Sequence, residues 1–326
     1  MVSLAEIQLS NARVSSAFPP GLVALFVGAT SGIGAATLKA FAKYTRCPRA
    51  YFVGRSQEAA DRIIAECTAL NPEGEYIFVP ADVSLIRVVD EVCAKIKARE
   101  THLNILFLSA GVPSLDRSET SEQLHLLAAL LYYSRLRFIT RLLPLIKQAP
   151  SLRRVVTVAG GGFEGSLDVT DFPALRVPLE QLRGHLSTLI TLGVEAVARS
   201  APEMSFIHDY PGAVDTPLAQ RMLVGRATDS VDLMSAEESG ERHMYLVTSA
   251  RYPLLQPTNS SLPPENVVDV MRGTNGELGS GVYSVGVDGE SASHETLDFL
   301  AKRRKEGLVD QVWAHTKGEF MRIMGD

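Results

Sequence analysis

Seven residues, Gly28-Ala-Thr-Ser-Gly32-Ile-Gly34, stand where an apolar run ends and a helical pattern begins. Glycine at such a junction allows a tight turn and a close backbone approach to a pyrophosphate, whose charge the free N–H groups and positive dipole end of the helix stabilise. The loop therefore suits the holding of a dinucleotide, with Gly28, Thr30, Ser31, Gly32, Ile33 and Gly34 around it. The plainer alternative is a tight strand-to-helix turn. Residues able to move protons are scattered more widely: Tyr132, Tyr133, Glu164, His185 and Tyr210.

These residues need a frame, and the hydrophobic pattern supplies one. Apolar runs predict strands at 22–27, 50–53, 76–79, 103–108, 155–158, 205–208 and 282–287, with helical periodicity over 35–44, 57–70, 85–97, 121–143 and 179–200. Continuously apolar strands alternating with helices imply a parallel sheet covered on both faces, the doubly wound, Rossmann-like α/β architecture. Residues 217–275 carry Pro253, Pro257, Pro263 and Pro264 and only local helical signals, which predicts a cap-like segment over the site. The chain is expected to form one domain over 1–326, with its core in 20–217 and 276–290 and further helices in 291–326.

In that frame Glu164 falls just beyond the carboxyl end of the fifth strand, where ligands bind in such sheets. Tyr132 and Tyr133 lie on the helix before that strand. His185 lies three residues after Leu182 on the helix following it, and Tyr210 directly follows the sixth strand. Each also has a structural reading: a packed or interface histidine, core tyrosines, a solvated loop carboxylate. Arg55 follows the second strand, where an Asp would accept the ribose hydroxyls of NAD. A guanidinium there suits a 2′-phosphate, so NADP(H) is the expected cofactor; a solvated surface arginine is the alternative.

The spacing Gly-x-x-x-Gly-x-Gly and its continuation AATLKAFAK resemble the short-chain dehydrogenase/reductase superfamily. Asp82-Val83 after the third strand resembles its adenine-contacting Asp-Val, and Ser109-Ala110-Gly111 after the fourth resembles its Asn-Ala-Gly. Pro211-Gly212-Ala-Val214-Asp-Thr216 resembles its Pro-Gly-x-Val-x-Thr segment beside the nicotinamide. The resemblance covers about 20–217 and 279–290. The wording YFVGRSQEAADRII, ALNPEGEY, LRRVVTV and MSFIHDYPG resembles a subgroup from filamentous fungi associated with secondary metabolism. It implies a small organic substrate, such as a polyketide, terpenoid or phenolic, and a homodimer or homotetramer.

The family's usual acid/base pair, Tyr-x-x-x-Lys, is absent, because no Lys occurs between Lys147 and Lys302 and no Tyr between Tyr133 and Tyr210. Pro178 and Leu182 align with its two positions. The family's Ser falls at Ala159 or Gly160, and its helical Asn near Leu131 or Tyr132. The leading expectation is an atypical NADP(H)-binding oxidoreductase acting on a carbonyl or conjugated alkene. A non-redox isomerase, cyclase or dehydratase on the same scaffold, and a catalytically silent NADP-binding protein, are the alternatives.

Composition narrows the setting. The balance of 32 Lys+Arg against 37 Asp+Glu, without charge blocks, argues against nucleic-acid binding. No apolar run approaches the roughly 20 residues of a membrane span. Three widely spaced cysteines form neither a disulfide framework nor a metal site. A cytoplasmic protein is expected.

Overall fold

The computed structural model describes residues 2–112, 116–223, 233–256 and 269–325. Seven strands form one sheet: β1 (Val23–Val27), β2 (Arg49–Gly54), β3 (Glu75–Pro80), β4 (Ile105–Leu108), β5 (Arg154–Val158), β6 (Ser205–Asp209) and β7 (Val282–Val285). Their order is β3-β2-β1-β4-β5-β6-β7, and every pairing is parallel. β1, β4, β5 and β6 are buried throughout, as parallel strands with helices on both faces must be. Strand order reverses between β1 and β4, so the crevice at their carboxyl ends is where such a sheet receives a ligand.

The helices Gly32–Tyr44, Gln57–Leu70 and Ile86–Arg99 follow the first three strands, in close agreement with the periodicity. The helix expected over 121–143 is interrupted. Leu126–Ala128 passes through a π turn at Ala129–Tyr133 before Ser134–Lys147 runs on as ordinary α-helix. Residues 121–125 precede it as a turn.

Several helices have no counterpart among those expected, Leu4–Ala12 and Ala236–Thr248 being the longest. Leu4–Ala12 is an N-terminal helix closed by a capping box between Ser3 and Glu6. It buries Ile7 and Asn11 against the helix Ala236–Thr248, where Asn11 Nδ2 donates to Glu241 O at 2.9 Å and Oε2 at 2.8 Å. Ala236–Thr248 in turn packs on Gly32–Tyr44, close enough that a Cβ on Gly240 would lie 2.7 Å from Ala36 O. Within 217–275, this helix therefore covers a sheet face, while 224–232 and 257–268 lie outside the described residues.

At the other end, Leu308–Met324 lies across the helix Leu179–Ala198 and also touches Ile86–Arg99. It is tied there through Tyr132 Oη to Thr316 Oγ1 at 2.5 Å and Tyr133 Oη to His315 Nε2 at 2.6 Å. Among the described residues, no helix is long and apolar enough to cross a membrane, and no cluster of ligating side chains is placed to hold a metal ion.

Candidate functional site

The loop after β1 is built on contacts that only glycine permits. Gly28 has φ +88°, and a Cβ there would lie 2.5 Å from Ala110 N and 2.6 Å from Ala110 Cα. At Gly34 a Cβ would lie 2.5 Å from Gly28 O and 2.6 Å from Ser109 Oγ. The glycines thus press the loop and the start of its helix against the end of β4, in addition to leaving the backbone open on the groove side. Ser31, the N-cap, is extended and makes no side-chain cap, so the leading N–H groups of the helix are free to bind an anion.

A groove of about 360 Å³ runs over this loop. Gly28, Thr30, Ser31, Gly32, Ile33, Gly34, Arg55, Asp82, Val83, Ser109, Ala110, Gly111 and Thr216 all line it. Val53, Gly54, Ala81, Ser84, Val112 and Arg221 line it too, although the sequence reading did not single them out. Asp82 is fixed by Ser84, whose N and Oγ donate to its Oδ1 at 3.1 and 2.8 Å. Arg55 is exposed at the end of β2 and pairs with no carboxylate among the described residues. Free helix N–H groups, a glycine-lined floor and an unpaired guanidinium beyond the second strand fit a dinucleotide carrying a 2′-phosphate.

The groove opens into a second cavity of about 630 Å³ at the carboxyl ends of β4, β5 and β6. The two share Ile33, Ser109, Ala110, Gly111, Val112, Thr216 and Leu218. Tyr210, Pro211, Gly212 and Val214 line the second, beside Leu131, Leu179, Leu182, Leu186 and Ile190. Its only charged lining residues among those described are Arg135 and Arg183.

Arg135 is 2% exposed, yet it pairs with no carboxylate among the described residues. Its Nη1 donates to Thr157 Oγ1 at 2.7 Å and Val158 O at 2.8 Å, Nη2 to Ala110 O at 2.9 Å, and Nε to Leu130 O at 3.2 Å. The π turn presents Leu130 O for this contact. One guanidinium therefore ties together the ends of β4 and β5 and the interrupted helix. Burial lowers its pKa to about 10, which still leaves it a cation at neutral pH.

The remaining candidates lie elsewhere. Tyr132 and Tyr133 are fully buried, turned toward the final helix, and burial pushes both phenols above their ordinary range. Glu164 is drawn under the cavity. Its Oε1 accepts from Thr191 Oγ1 and Ser284 Oγ, both at 2.6 Å, and lies 3.6 Å from His208 Nδ1. Burial opposes its ionisation, but His208 and these hydroxyls outweigh it and hold the carboxyl below its usual range. Gly160 N donates to His208 Nε2 at 3.1 Å, so the other ring nitrogen carries the proton facing Thr191 Oγ1 at 2.8 Å.

His185 has no exposed surface and does not line the cavity. Its Nδ1 accepts from Asp168 N at 3.2 Å while Nε2–H donates to Phe172 O at 3.1 Å. The neutral ring satisfies both bonds, and protonation would destroy the first. Burial accordingly lowers its pKa, with Phe172 O opposing. A folded pKa below the ordinary value of about 6.5 means that the unfolded chain takes up the proton first, so stability falls as pH drops through that value. Urea midpoints measured from pH 7.5 to 5.5 should decline, and His185→Gln should flatten the decline. An unchanged slope in the variant would remove His185 from this account.

Comparison with known proteins follows the same outline. A model of the short chain dehydrogenase family matches residues 22–140. The chain is 39% identical to "Oxidoreductase AN1596" of Emericella nidulans over 97% of each chain. It is 30% identical to "Short-chain dehydrogenase/reductase SAT2" of Stachybotrys chartarum over 95% of each. Among solved structures, L-sorbose reductase from Gluconobacter frateurii, complexed with NADPH and L-sorbose, superposes with a TM-score of 0.55 at 18% identity. That match covers 72% of this chain and 92% of the other.

Proposed function

Because the chain belongs to the short-chain dehydrogenase/reductase family, we propose that it is an NADP(H)-dependent oxidoreductase that acts on a small, largely apolar molecule. One observation carries this reading: the glycine-floored groove, with Arg55 at one end, opens directly into a second, mostly apolar cavity through a shared wall. When bound, the cofactor supplies or accepts two electrons as hydride. The chain's own residues hold it through the helix N–H groups, orient the substrate and exclude water from the joint between the cavities.

The lining residues bear on the kind of reaction. Tyr210 is the one phenol in the cavity, and no Lys, His, Asp or Glu lines it among the described residues. Arg135, whose N–H groups are largely taken by Ala110, Leu130, Thr157 and Val158, adds a fixed positive charge at the cavity wall, favourable to an oxygen that gains negative charge. Such an arrangement favours reduction of a conjugated alkene or enone, which needs less proton help than an isolated ketone. A substrate from fungal secondary metabolism agrees with the fungal relatives. An isomerase or cyclase that works by acid/base chemistry would need a proton-transfer pair inside the cavity, and one that works by orientation alone would have no use for the cofactor groove, so the oxidoreductase reading is preferred.

The cofactor test is direct. Charge-assisted bonds from Arg55 to a 2′-phosphate are worth about 1.5–3 kcal/mol, so NADPH should bind roughly ten- to a hundredfold more tightly than NADH. Arg55→Asp should cancel or reverse that ratio in calorimetry. Equal affinities in the unaltered protein would overturn the assignment of NADP(H).

A further inference from the structure

The face of the helix Leu179–Ala198 that lines the larger cavity carries Leu179, Arg183, Ser187 and Ile190. Spaced three and four apart, these residues stack along one side of the helix. Arg183 stands at the exposed end, and Ser187 lies one turn deeper. Two polar groups in line on an apolar wall call for a ligand with two matching groups.

Arg183 is held by aromatic rings. Its guanidinium lies 3.4 Å from the centre of the Phe163 ring and 4.6 Å from that of Tyr210, and the two rings meet edge to face at 4.8 Å. Stacking occupies the face of the planar group and leaves its N–H edge available for an oxyanion in the same plane. No carboxylate among the described residues pairs with it.

Ser187 is 2% exposed, and its hydroxyl has no hydrogen-bond partner among the described residues. The Oγ lies 2.3 Å from the place where Gly160 would carry a Cβ, so the absence of a side chain at 160 is what admits it to the end of β5. With no partner within the described protein, this hydroxyl lines the cavity and is left to bond to whatever fills it. The other charged group in the lining is Arg135, also a cation, so both charges that face a ligand favour an anion, with Glu164 buried beneath offsetting part of the effect at the deep end.

We propose that this cavity recognises an apolar carboxylic acid: the carboxylate sits at Arg183, the body lies against Leu179 and Ile190, and an uncharged oxygen about one helical turn deeper meets Ser187. The proposal rests on the reading of the cavity as the substrate site beside the cofactor groove. It makes Arg183 the residue that selects the substrate's charge and Ser187 the one that positions its inner oxygen.

Titration calorimetry of the full chain, with and without NADP+, tests it using 2-naphthoate, 2-naphthamide and 6-acetyl-2-naphthoate. The acid should bind about tenfold or more tightly than the amide, and 0.5 M salt should reduce the difference. Arg183→Gln should abolish the preference, while Arg183→Lys should keep part of it. The acetyl group should add affinity that Ser187→Ala removes without touching the acid-over-amide ratio. Equal binding of acid and amide, a preference that survives Arg183→Gln, or no binding of any of the three would overturn the proposal. NADPH titrated into the same samples keeps the two readings apart: failure there strikes the oxidoreductase reading, whereas NADPH binding without acid preference strikes only this one.

Discussion

Gly28→Ala should cost about 2–5 kcal/mol of folding stability and abolish measurable NADPH binding. Two separate penalties meet at this position. An L-residue at φ +88° pays about 1–2 kcal/mol for its left-handed backbone. The new methyl would also lie 2.5 and 2.6 Å from the N and Cα of Ala110, backbone atoms of the β4 end that cannot swing aside as a flexible side chain would. Overpacking of this kind adds about 1–3 kcal/mol. Gly21 supplies the control, since it has φ +83° with nothing within 4 Å of its added Cβ. Gly21→Ala should therefore show the conformational penalty alone. Urea unfolding of both variants separates strain from collision, and equal losses would mean that the contact with β4 relaxes freely.

The second large effect belongs to Arg135. Arg135→Met keeps most of the side-chain length but strands Ala110 O, Leu130 O and Val158 O, which the guanidinium now satisfies. Each buried carbonyl without a partner costs about 1–3 kcal/mol, partly offset because an uncompensated buried charge is also removed. A net loss of about 3–5 kcal/mol follows, read as a lowered urea midpoint. Arg135→Lys should recover less than half of it, because one ammonium cannot span acceptors on β4, β5 and the π turn together. A Met variant as stable as the parent would show that these carbonyls find other donors.

Much of this frame was legible in the residues. Seven apolar runs gave the seven parallel strands to within two residues at either end, because strands buried on both faces leave no polar alternation to confuse the pattern. The glycine loop, Asp82-Val83 and Ser109-Ala110-Gly111 were equally visible, being short motifs at fixed points of a repeat. Other features depend on contacts distant in sequence. The π turn at Ala129–Tyr133 adds one residue to a turn without changing the apolar character of LLYY. The space that Gly160 leaves for Ser187 depends on how the Leu179–Ala198 helix meets β5.

His185 shows the limit of spacing arguments. A residue three positions after Leu182 shares part of that residue's face of the helix. At about 100° per residue, however, it stands roughly 130° from the centre of the stripe formed by residues 179, 182, 183, 186, 187 and 190. That rotation is enough to turn the ring from the cavity toward Asp168 and Phe172. Glu164 follows β5 in the chain, but the hydroxyls of Thr191 and Ser284, which hold it beneath the cavity, come from two other elements.

The final helix bears on the timing of synthesis. Leu308–Met324 covers the outer side of Leu179–Ala198 and leaves the ribosome more than a hundred residues later. At roughly 5–20 residues per second, the back of the cavity wall stays bare for about 5–20 seconds of every translation, with Tyr132 and Tyr133 lacking their partners Thr316 and His315. The bare apolar wall is the kind of surface that chaperones shield during synthesis. Chains stalled before residue 308 should be cleaved by protease within 179–198, where released chains resist; equal resistance would show that the wall closes without its last helix.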